Sequence, residues 1–493
     1  MSAQNHAAGG ASKGLLLIVI GVAALIPVAL VGWRDLYASF IETSAPEIVI
    51  RELPRGIGLT PISLEIEVSD ELSGLDEVVV RSVQNNQSKE LLRQKLSGNK
   101  SAKLTVHFPG KESDLEEGMA QIEIRAFDKS LWSNRGEKLL NLPVDYRRPK
   151  LEIVSTQHNA REGGSQLIFF KAFDEDLAVV GVKVGGSTFL GYPAHLFDET
   201  LTEKHLYATL YAVPLEAEQR SKTPEVRAFA EDRVGNAVSS PFYNKIAPRR
   251  LKQSKKSVPD VFLRTKVAAL AESIFPELRA IAAEIGEKLE YRSPNGTPER
   301  LVEEFKLVNE QGRALDETKL LKSLSNTRLD RLWDGFFERQ SGVVRSGFGE
   351  NVTYFFQDQP IGTELQQGYI LTPHAGKNEV LAANSGVVAL VDRFSVLGRV
   401  VVIDHGLGLS SLYGSLGTSH VQRGDQIEAG QVIGTMGESG LADSDQLVFQ
   451  MRVSGTPVDP TEWLSRTWYR QHITSKTDEV KRALGIPVYQ PFS

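Results

Sequence analysis

The sequence predicts a mostly β, multidomain chain with one N-terminal transmembrane helix, two tandem β-sandwiches, a helical module and a C-terminal all-β domain. Three observations carry this expectation: an uncharged apolar run, a long region of short alternating strands broken by Gly, Asn, Asp and Pro, and a late glycine-punctuated strand region. A length of 493 residues allows three or four domains, taking roughly 100–200 residues for each. The formal charge of −6, with no basic block interleaved with aromatics, argues against nucleic acid as a partner. The chain has no cysteine, which excludes disulfide frameworks, thiolate zinc sites and a cysteine nucleophile.

Taken in order, residues 1–13 form a short tail and residues 14–33, GLLLIVIGVAALIPVALVGW, match the ~20 apolar residues that cross a bilayer as a helix. The run is too long for a signal-peptide core and ends on Trp33, an interfacial anchor. Lys13 biases the tail to the cytoplasmic side, so the expectation is a single pass through the inner membrane with the bulk of the chain periplasmic. From 46 to 148, runs such as SLEIEVSDE and AQIEIRAFD alternate with period two. From 149 to 250 they recur: SQLIFFKAFDEDLAVVGVKV echoes ISLEIEVSDELSGLDEVVV, and PEVRAFAEDRVGNAV echoes IEIRAFDKSLWSNRG. The pair resembles the immunoglobulin-like modules of bacterial envelope proteins, with a spacer role expected. A basic linker, 251–260, leads into a helical module at 261–340. There Leu263, Val267, Leu270 and Ile274 share one face, Leu278, Ile281, Ile285 and Leu289 another, and Pro276 marks a break or kink; Leu301, Phe305 and Val308 begin a further helix, and Leu329, Leu332, Trp333 and Phe336 end the module.

Residues 346–465 carry the informative pattern, followed by a tail at 466–493. The strands GVVALVD, GRVVVIDHG and QLVFQMRVSG flank the glycine-rich VQRGDQIEAGQVIGTMGESG. A lipoyl or biotinyl hammerhead would need a modifiable lysine on a hairpin, and none lies between Lys377 and Lys476. The segments GFGENVTYFF, AANSGVV, VVVIDHGLGLSSLYGSL, GDQIEAGQVIGTMGESGLA and VDPTEWL follow the order and spacing of the M23 metallopeptidases, and the region resembles that lysostaphin-like or LytM family, which cleaves peptide crosslinks of peptidoglycan. The preceding helices, including LDRLWDGFF, resemble those found ahead of this domain in membrane-anchored members.

The resemblance implies one Zn²⁺ held by two imidazoles and a carboxylate, leaving an open position for an attacking water. In the family an H-x-x-x-D segment gives the first two ligands, the second His of H-x-H the third, and the first His of H-x-H and the His of Tyr-x-His assist. Counting back without gaps from AANSGVV puts Gln367 and Leu371 at the first pair; Ser415 takes the assisting His, and Gln446 and Val448 the H-x-H pair. No position keeps a zinc donor of the family, so no cofactor is expected, and the domain reads as a pseudoenzyme. HAGKN, beginning at His374, imitates a ligand motif at the wrong distance, and His405 and His420 sit in turn or surface positions. The expectation is a regulator or scaffold of cell-wall hydrolysis and cell division, binding a hydrolase such as an amidase, or peptidoglycan, through a groove of Gln367, Leu371, Tyr413, Ser415, Gln446 and Val448. The alternatives are an active endopeptidase with a reorganised zinc site and a structural adhesin-like protein.

Overall fold

The computed structural model describes residues 42–215, 223–284 and 297–488. The expected span at 14–33 lies outside them, as do Ile285 and Leu289; among the described residues no helix is long and apolar enough to cross a membrane. The described residues divide into two compact units, 42–148 with 231–237, and those from 149 to 230 with those from 238 to 488.

In the first unit, strand Ile62–Ser69 lies between Glu47–Val49 and Ser101–Phe108, and Leu75–Gln84 and Gly118–Asp128 form the centre of a four-stranded sheet edged by Gln87–Asn99 and Arg135–Val144. Period-two alternation explains the packing. Leu64, Ile66 and Val68 are buried with Val78, Val80, Ile122 and Ile124 in one core, while Glu65 faces solvent. Asn85 and Asn86 both take positive φ (51° and 62°), which closes a two-residue hairpin between the paired Gln84 and Gln87.

The second unit begins with a sandwich in which Leu206–Ala212 and Ser165–Phe173 are the inner strands of one four-stranded sheet. Here alternation is lost: all six residues from Ser165 to Phe170 are buried. The reason lies downstream. The expected tail at 466–493 contains helices Arg466–Tyr469 and Ser475–Ala483, which pack on this sheet; Lys476 donates to Gln166 Oε1 (2.9 Å) and to the Leu167 carbonyl (2.8 Å). The inner and outer faces are therefore both covered, and one hydrophobic core runs from Leu167 and Phe169 through Trp333, Phe337 and Trp463 to Leu447, Phe449 and Met451. This sandwich is continuous with the C-terminal β-domain.

Two more sequence expectations are corrected. Within the basic linker, Lys252–Ser257 is a strand that pairs in parallel with Glu350–Phe356. Its three lysines blunt the exposed edge it creates. The segment LDRLWDGFF is not helical: Leu329 is exposed while Trp333 and Phe337 are inserted in the core, so no single helical face describes them. The longest helices of the module are Ala268–Glu284, which continues through Pro276, Pro298–Lys306 and Arg313–Ser323. Leu263, Val267, Ile274, Leu301, Phe305 and Val308 pack with Val352, Tyr354 and Phe356, which seats the module on the β-domain, whereas Ile281 is exposed.

Candidate functional site

The site is built on strand Leu447–Val453, flanked in an eight-stranded sheet by Tyr369–Thr372 and Leu409–Gly414. Directly paired residues of antiparallel strands put their side chains on the same face. Leu371 pairs with Leu447 and Tyr413 with Phe449, and all four are buried in the core. Ile370 pairs with Val448 and Leu412 with Gln450, so Val448 and Gln450 face the other way. That outer face is a cavity of about 370 Å³ whose wall includes Gln366, Gln367, Ile370, Ser415, Gln446, Val448 and Gln450.

Four of the residues expected in the groove are thus gathered: Gln367, Ser415, Gln446 and Val448. Leu371 and Tyr413 are not; their side chains belong to the core. The ungapped count fails by one residue because it crosses the His374–Lys377 turn and the irregular pairing between Val380 and Leu381, neither of which has its length fixed by strand pairing. Keeping the four-residue spacing of H-x-x-x-D while placing its second member in the groove gives Gln366 and Ile370. Both were missed, and only the register reveals them.

Residues Asn309, Glu310, Arg313, Asp316 and Glu317 form the opposite wall, so the helical module roofs the cavity. The roof is fastened at several points. Asn309 Nδ2 donates to the Thr363 carbonyl (2.9 Å), Arg313 pairs with Glu364 (2.7 Å), and Leu320 is buried against Val400, Val402 and Leu412. Buried Asp316 accepts main-chain N–H groups of Ser395, Val396 and Leu397 at 2.9, 2.7 and 3.0 Å. Burial nevertheless outweighs these bonds and raises its carboxyl above the usual range. Arg452, on the groove face, spends all five N–H groups: on Gln450 Oε1, on the Gly455 carbonyl, on Gln367 Oε1, and on both carboxylate oxygens of Glu317 at 2.7 and 2.8 Å.

A profile of Peptidase family M23 matches residues 364–460, the stretch that contains seven of the sheet's eight strands and the lower cavity wall. This part of the chain is an M23 peptidase domain. The chain is similar to the murein hydrolase activator EnvC of Escherichia coli, 42% identical over 110 residues that are 21% of this chain and 26% of that protein. It is similar to stage II sporulation protein Q of Bacillus subtilis, 32% identical over 105 residues, 21% of this chain and 37% of that protein. A lipoprotein NlpD/LppB homolog of Pseudomonas aeruginosa is 38% identical over 103 residues, 21% of this chain and 34% of that protein. The chain therefore spans only about a quarter to a third of each of these relatives.

Zinc can be tested against the M23 groove through its donors. Gln366, Gln367 and Gln446 offer neutral amides, Ser415 a hydroxyl, and Ile370 and Val448 no donor atom. Zn²⁺ sites are made of imidazole, thiolate and carboxylate, and this set does not fit the ion. Among the described residues, the trios of His, Asp or Glu close enough to share an ion lie elsewhere. His374 is exposed in its turn, and His420 is exposed beside Thr418 (3.1 Å). His405 is fully buried rather than at a surface. Its Nδ1 lies 2.7 Å from the Ser385 carbonyl, its Nε2 2.8 Å from Ser411 Oγ, and Ser411 continues to Tyr413 Oη at 3.0 Å. Its ring meets Phe337 edge-on, and burial pushes its pKa down to about 4, so it is neutral. This chain of polar groups braces the sheet from its core side.

Proposed function

We propose that this protein is a catalytically silent M23 homologue of the cell envelope that regulates or scaffolds peptidoglycan hydrolysis by binding a cell-wall hydrolase. The observation that carries the reading is the groove itself. The wall on which the family resemblance puts the ligand positions holds amides, a hydroxyl and aliphatic groups, and its open side is covered by Arg313–Ser323. An enzyme in which water must reach a metal and a scissile amide needs neither feature. The similarity to a protein named murein hydrolase activator supports the same direction. Residues 14–33 would anchor the chain in the inner membrane with the folded units in the periplasm, and the two sandwiches would be immunoglobulin-like modules. Cover of the groove by the helical module is then a resting state, and its removal the on-switch.

The test uses the purified full chain in detergent with dye-labelled peptidoglycan. The expected result is no stoichiometric zinc by elemental analysis, no dye release by the chain alone, and faster release when it is added to a purified N-acetylmuramyl amidase. About one zinc per chain together with crosslink cleavage abolished by a chelator would return the protein to the endopeptidases. Absence of any effect on the amidase would remove the regulatory reading.

A further inference from the structure

The helix that roofs the groove puts two consecutive carboxylates onto two separate receptors of the M23 domain. The first receptor is the turn between strands Gly386–Arg393 and Arg399–Gly406, where three successive N–H groups converge on Asp316. Convergent main-chain amides of this kind make a concave anion site. The second is the guanidinium of Arg452, buried to 1% side-chain exposure, which grips Glu317 as a fork. Gln450, Gly455 and Gln367 hold Arg452 from the domain's own side, so its orientation does not depend on the helix. Neighbouring positions on a helix diverge by about 100°, which lets one short segment reach both receptors.

We infer that the M23 groove carries a two-point carboxylate receptor, and that the partner is a protein helix bearing an adjacent acidic pair, for which Asp316 and Glu317 stand in at rest. This rests on the groove being the partner site. The physical reason is the state left behind when the roof lifts. Three amides lose their acceptor, and a largely buried guanidinium loses its counter-charge, a cost that water at a partly enclosed site offsets poorly. A competitor that brings apolar contacts alone leaves that cost in place, whereas one that brings two carboxylates removes it. A helix is favoured over a wall stem peptide because the present occupant is a helix that also seats Leu320 in the apolar pocket of Phe394, Val400, Val402 and Leu412.

The experiment uses the full chain, wild type and Asp316→Asn/Glu317→Gln, with Asp316→Ala/Glu317→Ala as a second opened form. Hydrogen exchange across 313–323 reads whether the roof has lifted. The probe is a fluorescein-labelled peptide of residues 298–323, in its native form and with both acids changed to amides, followed by anisotropy. The expected result is faster exchange in the variants, binding of the native peptide to them, and binding at least tenfold weaker for the amide peptide or for the wild-type chain. Equal binding of native and amide peptides would overturn the carboxylate receptor while leaving the groove as a binding site. Failure of both peptides to bind an opened, folded variant would remove the groove reading as well. Unchanged exchange in both variants would show that the acids do not hold the roof, and displacement of the native peptide by soluble muropeptides below its own concentration would assign the receptor to the wall; either result rejects the inference.

Discussion

At the scale of single residues, one wall of the groove in the M23 domain carries the neutral side chains of Gln366, Gln367, Ser415, Gln446 and Val448, and the core side of the sheet holds a neutral histidine, His405. His405 has an ordinary pKa near 6.5 when exposed and about 4 in the folded chain. The unfolded state therefore binds more protons between these values, so stability is full above about pH 6.5 and is lost as pH falls toward 4. The linkage is on the order of 3 kcal/mol for the 2.5-unit difference between 6.5 and about 4. His405→Gln is expected to lower the midpoint of thermal unfolding at pH 7, because the ring contact with Phe337 is lost, yet to make the acid-side decline shallower. Melting curves from pH 7 to 4.5 check this, and parallel declines for the two proteins would speak against it. His158 and His472, each also pushed down to about 4 by burial, contribute to the slope that remains, as do carboxylates held below their ordinary range, such as Asp198 and Asp443.

Elements reach outside their own domains in this fold. Helix Pro460–Trp463 brings Glu462 against Ser165, whose N–H and Oγ donate to Oε2 at 2.8 and 3.0 Å, and Trp463 Nε1 donates to the same hydroxyl. Burial, with the Asp459 carboxylate nearby, pushes the Glu462 carboxyl up to about 8. The folded state then holds a proton that the unfolded state has released above about 4.5, so stability declines from there to about pH 8 and levels off beyond. Glu462→Gln keeps the acceptor and cannot ionise. The variant is expected to stay within about 1 kcal/mol of the parent at pH 5 and to exceed it at pH 8.5 in urea titrations; a variant weaker at both would show that Glu462 acts as the anion.

For the whole of the second unit, the shared core implies shared stability. Trp333 packs edge-on against Phe197 of the sandwich (5.9 Å) and Trp463 of the M23 domain (6.2 Å). Trp333→Ala is expected to cost about 3–5 kcal/mol and to lower the unfolding midpoints of sandwich and M23 domain together. Hydrogen exchange resolved by peptide reads both at once, and loss of protection confined to one of them would show that they unfold separately. Deleting residues 466–493 is expected to act in the same way, by uncovering the outer face of Ser165–Phe173.

The sequence by itself determined the strand-rich class, the alternation of Ile62–Ser69, the helical faces at Leu263–Ile274 and Leu301–Val308, and the family of residues 364–460, because these depend on local period and on motifs that stay together along the chain. It also placed Gln367, Ser415, Gln446 and Val448 on one cavity wall: Ser415, Gln446 and Val448 because they lie in or directly beside the paired strands Leu409–Gly414 and Leu447–Val453, and Gln367 because it neighbours Gln366 on the same wall. Tertiary structure alone decided that Ile370 rather than Leu371 faces the groove. A strand shifted by one residue exchanges its two faces, and nothing in the intervening turn fixes its length. It alone decided that LDRLWDGFF runs as an inserted segment, that the last helices belong to a sandwich some 300 residues earlier (Lys476 to Gln166 spans 310 positions), and that Asp316 and Glu317 close the groove. Each of these joins residues far apart in the chain, and such contacts are selected by the burial of whole surfaces rather than by any local preference that a sequence period records.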